Sequence, residues 1–127
     1  MKAATREWVG KADADYAAAL MLRRSRKKYS RDIVCFHLQQ CVEKYLKARL
    51  EEAGISFPRT HDLERLLDLA VQVEPAWTSL RTAMNNLADY AVEIRYPGFT
   101  VPPREAQKLL RMTTQIRTVI RGCLGLR

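Results

Sequence analysis

At 127 residues, 47% of them hydrophobic and 28% charged, the chain is long enough for one domain with its own core, short for two, and too apolar to be disordered. Its 22 Lys and Arg against 14 Asp and Glu give a formal charge of +8, which suits a polyanionic partner or simply a soluble basic surface. The three cysteines are an odd number, Cys35 and Cys41 point in different directions on one expected helix, and Cys123 has no neighbouring Cys or His, which argues against a disulfide framework and a zinc site, so no metal and no cofactor are expected.

The N-terminal MKAATREWVG is charged and lacks the apolar centre of a leader, and the longest apolar run, Tyr16 to Leu22, is far short of a membrane span. A soluble protein of the reducing cytoplasm is expected, with no membrane partner. The first helix is expected from Thr5, a good N-cap residue, to about Arg24. Trp8, Ala12, Asp15, Ala19 and Leu22 follow its period, and the alanines allow a close helix contact. Asp15 is the polar member of that stripe, either a boundary carboxylate bonded to a neighbour or a functional acid.

The next segment, RRSRKKYSR, holds Arg23, Arg24, Arg26, Lys27, Lys28 and Arg31, six cations in nine positions. They either complement the dipole of the first helix or contact phosphate. Ser30 is the expected N-cap of the next helix.

Ile33 to Leu50, IVCFHLQQCVEKYLKARL, is free of Gly and Pro and organises the chain. Val34, Leu38, Cys41, Tyr45 and Ala48 stack on one helical side, and Cys35, Phe36, Val42 and Leu46 widen that apolar arc, so the helix should touch several neighbours. His37, Gln40, Lys44 and Lys47 recur at the same period as a separate polar stripe, a candidate for binding or chemistry. Gly54 is placed as a left-handed C-terminal residue, and Pro58 blocks continuation.

A short third helix is expected with Thr60 as its cap, Asp62 in its first turn, and Leu63, Leu66, Leu67 and Ala70 as its apolar face. His61 is a lone histidine at that helix start, either a local hydrogen-bonding residue or a ligand or base. Pro75 suits the first turn of a fourth helix carrying Trp77, Leu80, Met84, Leu87, Ala91 and Ile94. It stops at Arg95-Tyr96-Pro97-Gly98, which leaves Arg95 on a rigid corner suited either to phosphate or to the last helix carbonyls. Pro102 and Pro103 start a fifth helix with Ala106, Leu109, Thr113, Ile116 and Ile120 inside, and GCLGLR is expected to fray. No segment alternates with period two for the length of a strand. The fold class is therefore all-α, an up-and-down bundle of four main helices plus one short helix, in one domain over residues 1–127.

Four blocks, in this order, resemble the HEPN domain: Ala12, Asp15, Tyr16 and Ala19; FHLQQCVEKYLKA from Phe36 to Ala48; THDLERLL from Thr60 to Leu67; and RYP from Arg95 to Pro97. The resemblance implies a four- or five-helix bundle, commonly a homodimer, often acting with a small nucleotidyltransferase in prokaryotic two-component or toxin–antitoxin modules. Many members are metal-independent ribonucleases whose site, at the dimer interface, pairs an Arg with a His a few residues later. Arg95 matches that Arg, but no histidine stands between Tyr96 and Pro103, and His37 and His61 are the two in the chain. Cleavage of RNA needs a group to take the 2′-hydroxyl proton, which a guanidinium with a pKa above about 12 does poorly.

Three functions follow as expectations. The first is a nucleotide- or RNA-binding bundle using Arg95, Tyr96, His37, Gln40, Lys44 and Lys47, with His61 and Asp15 as further candidates. The second is a protein-interaction bundle for a nucleotidyltransferase, with no site of its own. The third is a ribonuclease around Arg95 with an atypical base.

Overall fold

A computed structural model describes residues 1–127, and every regular element in it is helical. The elements are α1 (Ala3–Leu22), α2 (Ser30–Ala53), α3 (Leu63–Ala70), α4 (Arg81–Glu93) and α5 (Pro103–Cys123), with one 3-10 segment, Pro75–Leu80, leading into α4. No helix is long and apolar enough to cross a membrane.

The chain alternates in direction. Thr5 meets Glu52 and Asp15 meets Lys44, so α1 and α2 are antiparallel. Tyr16 meets Thr114 and Asp13 meets Arg121, so α5 is antiparallel to α1. The residues that end α4 share a cleft with Lys28, Tyr29 and Asp32 at the start of α2, so α4 runs against α2. This is the up-and-down bundle that the periodicities predict, with α3 as the short helix.

At the centre lies α2. Its Leu38, Cys41, Tyr45, Leu46, Ala48 and Leu50 are all fully buried in one core of 23 hydrophobic residues. The expected alanines do their work at the α1 contact: Ala12 and Ala19 are 0% exposed, and no larger side chain holds the two backbones apart. Trp77 from the 3-10 segment and Met84 and Leu87 from α4 close the core on another side.

Several local expectations are corrected. Helix α1 begins at Ala3, and Thr5 lies inside it, fully buried, donating its hydroxyl to Glu52 at 2.9 Å. Helix α2 reaches further at both ends than Ile33–Leu50, with Tyr29 at the N-cap, while Ser30 donates its hydroxyl to Ser25. Asp62, not Thr60, caps α3: its carboxylate accepts from the backbone N–H groups of Glu64 and Arg65, while Thr60 accepts from that of Asp62 at 3.1 Å. The fourth helix is split, because the turn after Pro75 is tightened into 3-10 geometry. Phe36 is 46% exposed and lies outside the apolar arc.

Gly54 takes φ +70°, and Ile55 N–H returns to the Leu50 carbonyl at 2.9 Å, the expected left-handed ending. The C-terminal tail does not fray. Leu126 N–H bonds the Arg121 carbonyl at 2.8 Å, and the Arg121 guanidinium donates back to the Arg127 carbonyl at 2.6 Å.

Candidate functional site

The polar stripe of α2 is divided between two buried carboxylates. On the α1 side Asp15, 9% exposed, accepts from His37 Nδ1 at 2.8 Å and from Lys44 Nζ at 2.5 Å. Because an ionised carboxylate only accepts, Nδ1 carries the proton of this contact and Nε2 is left as the open ring nitrogen. On the α3 side Glu43, 2% exposed, accepts from Lys47 Nζ at 3.0 Å and from His61 Nδ1 at 2.9 Å. Lys47 is itself buried and lies over the Trp8 ring, 5.3 Å from its centroid. Gln39 donates to the His61 carbonyl, and Gln40 donates to Gln39.

The physical reason for this arrangement is desolvation. A carboxylate in the helix seam needs partners, and the two lysines and two histidines supply them. So Lys44 and Lys47 arrive with their charge already matched. A third network joins α1, α2 and α5: the Tyr45 hydroxyl donates to Asp13, which also pairs with Arg117 at 3.2 Å and Arg121 at 3.1 Å. Burial and then the hydrogen bond to Asp13 push the Tyr45 hydroxyl up to about 12. Burial likewise pushes the Cys35 and Cys41 thiols up to about 12, which leaves them protonated and inert at neutral pH.

A dense group of unmatched cations sits at one end of the bundle, around the α1–α2 connection. A cleft of about 540 Å³ is lined by Arg23, Arg24, Arg26, Arg31 and Arg111 and by no carboxylate. None of these five guanidiniums is in an ion pair. A second cleft, of about 520 Å³, gathers Lys28, Tyr29, Arg95 and Tyr96 with Asp32. Between them the chain is pinned at Val101, whose carbonyl accepts from Arg31 Nε at 2.7 Å and whose N–H donates to Asp32 at 2.8 Å. Val101 is fully buried, so the clamp is rigid, and Asp32 is spent on it.

The structure thus brings Arg95 and Tyr96 together with each other and with Lys28 and Tyr29. It does not bring them to His37, Gln40, Lys44 or Lys47, and neither His37 nor His61 lines the Arg95 cleft. Lys28 and Tyr29 were legible only as part of a basic run. Arg111 carried no local signal, since it reaches the arginine cleft from α5 by tertiary packing. Glu43 did carry one, the four-residue spacing to Lys47 that suits a helical ion pair.

Residues 5–123 match the family model of the HEPN domain. No curated protein and no solved structure matches the chain.

Proposed function

The chain belongs to the HEPN domain family, and we propose that it is a cytoplasmic nucleotide- or RNA-binding bundle whose phosphate contacts lie at the basic end. The observation that carries this is the arginine cleft: five guanidiniums facing one space with no carboxylate in its lining. Several cations elsewhere on the bundle do have partners, Arg117 and Arg121 in Asp13, Lys44 in Asp15, Lys47 in Glu43, Arg49 in Glu74. Like charges held together without counterions cost stability, and phosphate oxygens, which a guanidinium engages through two parallel N–H donors, remove that cost.

The test is binding of ATP and of a labelled RNA across a salt series. Affinity should fall steeply as salt rises, and Arg24→Glu with Arg111→Glu should abolish it. An affinity indifferent to both salt and the double charge reversal would refute the reading. Catalysis is not part of it, because the groups around Arg95 are a lysine, two tyrosines and an engaged carboxylate, none of them a base suited to neutral pH.

A second reading is favoured by a specific observation. Tyr29 at the N-cap of α2 and Ile33 and Phe36 within it, at helical spacing, are 56%, 45% and 46% exposed, and Val92 on α4 is 53% exposed. Such an apolar stripe supports a protein contact, either a homodimer or a small nucleotidyltransferase partner. Sedimentation of the pure protein separates the first, and co-purification with a nucleotidyltransferase encoded beside it tests the second.

A further inference from the structure

The two basic clefts are walled by consecutive residues. Arg31 lines the arginine cleft and Asp32 the Arg95 cleft, so their α-carbons are about 3.8 Å apart. On the other wall Thr100 faces the Arg95 cleft and Pro103 the arginine cleft, with the pinned Val101 between them. The clefts therefore adjoin across one rigid ridge, and the basic lining continues over it from Arg23 to Lys28.

Their chemistry differs. One side is guanidinium only. The other combines Lys28 and Arg95 with two aromatic rings that stand out into solvent, Tyr29 at 56% and Tyr96 at 63% exposure. Lys28 Nζ lies 5.4 Å from the centroid of the Tyr29 ring, a cation already set against that aromatic surface. Exposed aromatic rings beside a cationic groove are what unstacked bases need, and a duplex keeps its bases inside. The five guanidiniums, contributed by the end of α1, the connection, α2 and α5, also outnumber the phosphates of one nucleotide.

We propose that the two clefts form one track for a single-stranded polynucleotide, with its phosphates on the arginine cleft and its bases on Tyr29 and Tyr96. This rests on the phosphate-binding reading above and sharpens its ligand from nucleotide or RNA to an extended single strand.

The experiment is fluorescence polarisation with UTP, with oligouridylates from a dinucleotide to about a dozen residues, and with a blunt duplex of the longest length. Circular dichroism confirms that each variant is folded. Affinity should rise with length until both clefts are filled, and the duplex should bind at least about tenfold more weakly. Tyr29→Ala with Tyr96→Ala should weaken the long oligonucleotide about tenfold or more while leaving the slope of log affinity against log salt unchanged. Arg24→Ala with Arg111→Ala should instead reduce that slope by about 1.4, at about 0.7 per phosphate on a single strand. UTP or a dinucleotide binding as tightly as the longest strand, a duplex binding equally well, or an unaffected tyrosine variant would overturn the track and leave the phosphate-binding reading intact. Absence of salt-dependent binding by every probe would overturn both.

Discussion

Glu43→Ala is the substitution that tests the architecture of the polar stripe most directly. The Glu43 and Lys47 side chains are 2% and 7% exposed, so removing the carboxylate strands an ammonium with no water and only the Trp8 ring beside it. His61, with 72% of its side chain exposed, falls back to solvent and contributes little to the loss. Breaking a buried pair from one side costs about 3–5 kcal/mol, against a total stability of about 5–15 kcal/mol for a domain. In a chain of this size that lowers the melting temperature by about 11–19 °C. Asp15→Ala should cost less, about 1–2 kcal/mol, because His37 and Lys44 keep 26% and 22% of their side-chain exposure and can be rehydrated. Urea denaturation followed by circular dichroism reads both as midpoint shifts at constant slope. The combined variant Glu43→Leu, Lys47→Met removes both charges and should return to within about 1 kcal/mol of the parent. If Glu43→Ala costs less than about 1 kcal/mol, as an exposed pair does, the reasoning is wrong. A combined variant no more stable than Glu43→Ala alone would also refute it.

Two further outcomes are expected. In alkaline solution the unfolded chain releases the Cys35, Cys41 and Tyr45 protons near 9.0 and 10.0, whereas the folded chain holds them to about 12. The unfolded state then binds fewer protons, so stability falls as pH rises from about 9 to 12, by about 1.4 kcal/mol per pH unit for each group in its window. Tyr45→Phe should cost about 1–2 kcal/mol at neutral pH through Asp13 and Arg121, yet flatten the decline between about pH 10 and 12, and equal slopes for the two proteins would contradict this. End-labelled RNA incubated with pure protein in EDTA should stay intact with wild type and Arg95→Ala alike, and cleavage lost in the variant would mean that a base reaches Arg95 after all.

The bundle was legible because its signals are local and periodic. Ala12 and Ala19, the buried stripe of α2, Gly54 and the prolines before α4 and α5 each mark an element locally, although α2 runs longer than its marks and the fourth helix is split. What the periodicity of α2 left open was which polar residues would be consumed by folding. His37 and Lys44 looked available until α1 placed Asp15 opposite them, and that pairing joins residues 22 and 29 positions apart. Capping details failed for a related reason. Thr60 and Asp62 both have capping side chains two residues apart, and only the backbone path decides which oxygen meets the free N–H groups of α3.

The basic end connects stability to function in a way that can be measured. Two like charges about 10 Å apart in water repel by about 0.4 kcal/mol, so a cluster of five uncompensated guanidiniums holds several such pairs. Neutralising members of the cluster should therefore stabilise the fold while it weakens phosphate binding. Arg24→Gln with Arg111→Gln should raise the melting temperature by a few degrees at low salt, on the order of 1 kcal/mol, and lose that advantage near 1 M salt, where the screening length is about 3 Å. A cluster kept only for solubility or for a helix dipole gives a different pattern. Arg24 lies past the end of α1, where the dipole favours it, so its loss would then destabilise the protein slightly at low salt. The sign of that one shift separates a site held at a cost for its ligand from a solvated charge run.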